Sequence, residues 1–308
     1  MGIIILPVMA IHRGPGSLVK VAESANYGGI IYALTALSDY VYCGGAGSYK
    51  VWQLNASDLV KVGESVAYGN IIRDLTTCFG FIYCGGNTTL KVWKINPIGM
   101  FKLNESISYG GTIMALTALG SYIYCAGATT KKVWKLDATD LFKVGESAIY
   151  GGTINALAAL DGHIYCAGAT TRKVWKLTEG TLLKVAESAD YGSTIYSLIA
   201  HEGFIYCGGG SPYKVWKLNA SDLVKVGESA IYGVGGGIIC ELTALGSSIY
   251  CGGGFAEEVV WKMNASDLVK VGESATYGGS IEALKSSVLD GHIYCSDSNV
   301  KKVLKLTS

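Results

Sequence analysis

The sequence predicts an all-β fold in which seven four-stranded antiparallel blades stand in a ring. Three observations carry that prediction: the chain repeats itself, each repeat is punctuated as four short strands, and the two ends hold complementary fragments of one repeat. Seven of the nine cysteines, Cys43, Cys84, Cys125, Cys166, Cys207, Cys251 and Cys295, follow a tyrosine at spacings of 41, 41, 41, 41, 44 and 44. A second marker keeps step with them, since Glu23, Glu64, Glu105, Glu146, Glu187, Glu228 and Glu273 all stand before serine. A period of about 40 to 45 residues is that of a four-stranded propeller blade.

The chain opens with an apolar run at residues 3 to 10, IIILPVMA. It is far short of the roughly 18 residues that span a bilayer, and it lacks a basic stretch before it and a small-residue cleavage site after it. It therefore reads as an extra strand or loose arm within an N-terminal arm of residues 1–16, in preference to a secretory signal. Residues 17–24 (SLVKVAES) copy the fourth strand of a repeat. Six full repeats follow at 30–65, 71–106, 112–147, 153–188, 194–229 and 238–274, and residues 280–308 end on a third-strand copy. The opening fragment thus supplies what the last repeat lacks, which closes blade seven and removes the free edges of an open array. The whole chain reads as one domain.

Within the first repeat the strands are Ile30 to Leu37, Tyr40 to Gly44, Lys50 to Leu54 and Asp58 to Ser65, separated by Gly-rich or Asn/Ser/Asp-rich turns. Glycine interrupts every window long enough for a helix, and apolar residues do not recur at helical spacing. In the second strand Val41 and Cys43 face one side and Tyr42 the other, so both faces are apolar. A strand packed between neighbouring blades requires that.

The repeat IYALTALSDYVYCGGAGSYKVWQLNASDLVKVGES resembles the WD-repeat β-propeller pattern over residues 17–308, with Trp52, Trp93, Trp134, Trp175, Trp216 and Trp261 at the family's third-strand tryptophan and Leu304 in the seventh blade. It departs from that pattern in four ways. Tyr-Gly stands for Gly-His, the Asp after Trp is Lys or Gln, the turn Asp is absent, and Cys replaces Ser or Thr. The resemblance implies that the buried His-Ser-Trp-Asp network of the family cannot form here and that a packed Tyr-Cys-Trp cluster substitutes for it. It also implies that the first strand, a, is innermost, and that the d–a and b–c loops open on one face.

Composition narrows the functional classes. Charged residues are 16% of the chain and the formal net charge is +1, so no basic patch signals nucleic acid. Equivalent cysteines on blades packed about 10 Å apart are beyond disulfide reach, so the thiols should be free, which points to a reducing, cytoplasmic compartment. An extracellular or surface location is the alternative. No Cys-x-x-Cys exists, and His163, His201 and His292 fall near a–b turns, so no metal or cofactor is expected. The repeated glutamate, three residues after a lysine, reads as a solvated edge and not as an acid/base pair, so an enzyme working in the central channel ranks last. Three Asn-Ala-Ser-Asp segments match a glycosylation sequon, and turn chemistry suffices to explain them.

Differences between repeats point to a binding site. The residue after the strand-a isoleucine reads Tyr32, Arg73, Met114, Asn155, Tyr196, Cys240 and Glu282, changing chemical class at each blade while the frame barely changes. Such positions are expected at the channel or its mouth, where they would bind a ligand or drift without one. Insertions at residues 233–237 and 254–258 enlarge blade six on the loop face. Glu241 and Glu282, with Glu257 and Glu258 beside Phe255, are expected to form an acidic sector with few basic residues nearby, Arg73 lying elsewhere on the ring. The function expected is a non-catalytic scaffold binding a Lys- or Arg-containing peptide or protein segment. A carbohydrate-binding or adhesion module is the alternative, suggested by the low charge and the Tyr- and Asn-rich loops.

Overall fold

Each repeat folds from its turns outward. The a–b turn has two residues, and its first residue takes a left-handed backbone at Ser38, Phe79, Gly120, Asp161, Glu202 and Gly246 (φ between 47° and 57°). That is the geometry a two-residue antiparallel hairpin needs. In blade one the hairpin joins Ile31–Leu37 to Tyr40–Gly45, and strands Trp52–Asn55 and Lys61–Glu64 complete the sheet. A computed structural model describes residues 16–233, 235–254 and 258–307. These form seven four-stranded antiparallel sheets, each in the order a-b-c-d.

The core lies between blades. Strand b supplies both sides: Val41 and Cys43 pack with Tyr27 and Trp52, while Tyr42 packs against Tyr68 and Ile72 of the next repeat. Tyr27 is buried, its hydroxyl donating to the Lys50 carbonyl (2.5 Å) and accepting from Gly45 N (3.1 Å). Its ring meets Trp52 edge-on at 5.0 Å, a contact repeated in blades two to six and worth about 0.5–1.5 kcal/mol each beyond area burial. Gly45 is required at the end of strand b because a Cβ there would sit 2.0 Å from the Ile30 carbonyl oxygen.

The ring closes through the N-terminal strand, Lys20–Glu23, which pairs with Lys302–Thr307. Two features differ from the sequence reading. Leu18 leaves blade seven and bridges in parallel to Ser274 of blade six, with Leu18 N donating to the Glu273 carbonyl (3.0 Å). Its side chain, 1% exposed, packs with Tyr250 and Val260, which fixes the chain there. Strand a of blade seven is also short, Leu284–Ser287, because Ser296 Oγ takes the amides of Glu282 and Ala283. The N-terminal arm, apart from Gly16, lies outside the described residues.

Candidate functional site at the mouth of the axial channel

Strand a lines the axis and alternates its side chains. The isoleucine at its start, Ile31 and its equivalents, is fully buried between blades, and the residue after it turns to the channel mouth. Tyr32, Arg73, Met114, Asn155, Tyr196, Cys240 and Glu282, joined by Ile238 and Glu241, line one cavity of about 330 Å³. One residue from every blade reaches it. Arg73 stacks on Tyr32 (guanidinium carbon 4.6 Å from the ring centre) and holds Asn87 Oδ1 through Nε (3.4 Å). Asn155 donates to the Ile195 carbonyl of the next blade (3.1 Å), while Tyr196 remains 40% exposed.

Below the mouth, seven leucines, Leu34, Leu75, Leu116, Leu157, Leu198, Leu242 and Leu284, encircle a second cavity of about 180 Å³. Two carboxyls, Asp74 and Glu241, and one amine, Lys285, share it. Asp74 accepts from Leu75 N (2.7 Å) and from Leu116 N of blade three (2.6 Å). Desolvation pushes its carboxyl up to about 7 against the pull of those amides and of Lys285. Glu241 accepts from Ser197 Oγ of blade five (3.0 Å), and Ser197 Oγ in turn accepts from Leu242 N (3.0 Å). Desolvation first, and then the like charge of Asp74, push Glu241 up to about 8.

This geometry bears on part of the expected acidic sector. Blades seven, one and two are neighbours in the ring, so Arg73 stands close enough to Glu282 to oppose the desolvation that raises its carboxyl. Glu241, one position further along strand a than the mouth residues, also reaches the leucine-ringed cavity, where burial raises its carboxyl. Glu258 is half-buried, its carbonyl accepting from Tyr277 N (3.0 Å). Phe255 and Glu257 lie outside the described residues. The sequence reading missed Asp74, Ser197 and Lys285. The next position along strand a reads Ala33, Asp74, Ala115, Ala156, Ser197, Glu241 and Ala283, so the same comparison moved one residue on would have found the first two.

All nine cysteines are free thiols, eight of them buried. Cys240, half-buried at the mouth, is pushed up to about 12 by desolvation and then by Glu282 and Glu241. Among the described residues no group of three His, Cys, Asp or Glu side chains could hold a metal, and no helix is long and apolar enough to cross a membrane.

No protein-family model matches the chain, and no curated protein matches it. Solved structures do. The WD40 β-propeller domain of Doa1 superposes with a TM-score of 0.80 at 10% identity, covering 95% of this chain and 97% of that one. The chain has a WD40-like propeller fold. The computationally designed Ika8 protein is similar at a TM-score of 0.69 and 13% identity, covering 94% and 99%. Within this propeller the tryptophan indole N–H groups of Trp52, Trp93, Trp134, Trp175 and Trp216 are buried without a hydrogen-bond partner. The interblade Tyr-Trp ring pairs and the buried cysteines stand where a WD-repeat polar network would be.

Proposed function

We propose that this propeller is a non-catalytic scaffold that holds a segment of a peptide or protein partner at the d–a and b–c mouth of its channel. The observation that supports it is the mouth itself: a side chain that changes chemical class from each blade to the next, set in a frame that otherwise repeats, around a cavity of about 330 Å³. Pockets of about 300–1,000 Å³ are of binding-site size. Tyr32, Tyr196 and Met114 offer apolar surface, and Arg73, Asn155 and Glu282 offer hydrogen bonds of both signs. With the Glu241 carboxyl raised by burial and Arg73 acting against the rise of Glu282, the partner is selected by shape and hydrogen bonding more than by positive charge. A catalytic reading is disfavoured because both oxygens of Asp74 already accept backbone amides and Glu241 is tied to Ser197. Selection of a random peptide library on the immobilised chain tests the proposal, with a glycan array run beside it. Peptides that bind the wild type and lose at least about tenfold in affinity with Tyr196→Ala support it, the loss of one central aromatic anchor. Glycan binding that Tyr196→Ala abolishes, with no peptide recovered, would replace it with the carbohydrate reading.

A further inference from the structure

Six of the seven blades carry a lysine directly after the third-strand tryptophan, or after Leu304 in blade seven: Lys94, Lys135, Lys176, Lys217, Lys262 and Lys305. Five of these are under 10% exposed, and they bridge neighbouring blades on the a–b and c–d face, opposite the mouth. Lys94 Nζ donates to the carbonyls of Ala138 and Thr139 in the next blade's c–d turn (2.9 and 3.0 Å), and Lys217 Nζ does the same to Ala265 and Ser266 (2.8 and 2.9 Å). In blades two, three and five the ammonium also lies over the aromatic ring that opens strand b: Lys94 over Phe81 at 4.3 Å, Lys135 over Tyr122 at 3.7 Å, Lys217 over Phe204 at 3.9 Å. The fold has thus solved one recognition problem several times over. In blades two, three and five a primary ammonium is held between a ring face and turn carbonyls, and among the described residues no carboxylate pairs with it.

Blade one breaks the series. Its residue is Gln53, which folds back on its own blade, donating from Nε2 to the Tyr42 hydroxyl (3.0 Å) and setting its oxygen beside Gly63. The ring partner remains as Tyr40. Opposite it, the c–d turn of blade two is Asn96-Pro97-Ile98-Gly99 where blade three has Asp137-Ala138-Thr139-Asp140. Proline has no N–H, so the bond that Ala138 N gives to the Ser121 carbonyl has no counterpart to Gly80. The result is a cavity of about 490 Å³ lined by Leu37, Tyr40, Tyr42, Gln53, Pro97 and Ile98, among others. The corresponding groove between blades four and five, with Lys176 in place, measures about 390 Å³. Two large apolar side chains stand exposed on the turns beside the larger cavity: Phe79 is 69% exposed and Ile98 is 83% exposed.

We infer that the junction of blades one and two is a binding site for a primary alkylammonium group, the lysine side chain of a partner polypeptide, which enters where every other blade supplies its own lysine. The ring of Tyr40 and the turn carbonyls of Pro97 and Ile98 receive the ammonium, the walls of Leu37 and Val62 receive the methylenes, and Phe79 and Ile98 meet apolar residues flanking the lysine. Cation–π attraction and carbonyl acceptors together recognise such a group. The site is independent of the mouth. Butylammonium, which reproduces the end of a lysine side chain, is the probe, with N-butylacetamide as its neutral counterpart. Titration followed by NMR of the tyrosine ring signals should show saturable binding of butylammonium to the wild type and not of the amide. Gln53→Lys, which restores the residue of the other blades, should weaken it by at least about tenfold while keeping the fold, and so should Tyr40→Ala. Tyr196→Ala should leave it unchanged. A peptide with one lysine between leucines should compete, and its Nε-acetyl form should not. Equal binding of butylammonium to wild type and Gln53→Lys, or no saturable binding by the wild type at millimolar amine, would overturn the inference.

Discussion

Asp74 and Glu241 are buried carboxyls that should make the propeller's stability depend on pH. Both carboxyls are raised in the folded state, to about 7 and about 8, from ordinary values near 4 in an unfolded chain. A raised carboxyl binds its proton more tightly when folded, so its contribution to stability is complete below about pH 4 and is lost as pH rises to about 8. The outer glutamates act with the opposite sign, since Lys20 and Lys302 lower Glu23 to about 2, but they are solvent-exposed and act only at lower pH. The unfolding free energy from denaturant titrations between pH 5 and pH 8.5 should therefore fall with pH, by on the order of a few kcal/mol in all. Glu241→Gln, which keeps an acceptor for Ser197, should flatten that slope. A slope unchanged in this variant would show that the channel stays hydrated enough to leave Glu241 ionised. The thiols give a second test at this scale. Burial pushes Cys43, Cys84 and Cys207 up to about 12, so iodoacetamide should label the native chain slowly and the unfolded chain fast, Cys240 included.

The strand Lys20–Glu23 is the element whose loss has the clearest consequence. It supplies the outer edge of blade seven through the Glu23 to Lys302 ion pair and the reciprocal bonds of Ser24 N to the Val303 carbonyl and Val303 N to Ser24 Oγ (both 2.9 Å). A variant lacking residues 17–24 also loses Leu18 from the interface of blades six and seven. It should be destabilised by at least about 3 kcal/mol, the cost of one buried leucine alone, and should self-associate through the bared edge. Calorimetry with light scattering checks both outcomes. The closing strand and the strand order were legible in the sequence because a repeat fixes hairpin register seven times over, and a copy of the fourth strand ahead of a chain ending on a third has one place to go. What the pattern could not show was depth. Glu282 is the first residue after its isoleucine and lines the mouth, while Glu241 is the second after Ile239 and reaches the cavity ringed by leucines, a difference of one position that sets their depth. Proximity across the ring was equally hidden: Arg73 and Glu282 are about 200 residues apart in sequence, yet only blade one stands between their blades.

For the molecule as a whole, the face carrying the mouth and the face carrying the junction of blades one and two point in opposite directions. The two readings therefore predict independent partners. A peptide selected at the mouth and butylammonium at the junction should bind together, each affinity unaltered by the other, which a double titration of the wild type would measure. The closed ring has a further effect on how the molecule fails. In an open array the terminal repeat has one neighbour and frays first, so unfolding proceeds inward from the ends. Here Leu18 and the Lys305 tether to the Ala56 carbonyl give blade seven partners on both sides, as every other blade has. There is no weak end at which loss can begin. The first blade to leave must break two interfaces at once, and the remaining six then become an open row that comes apart readily. Opening is thus rare and, once begun, runs to completion, so the propeller should resist proteases for long periods and then be cut throughout, with few partly trimmed intermediates.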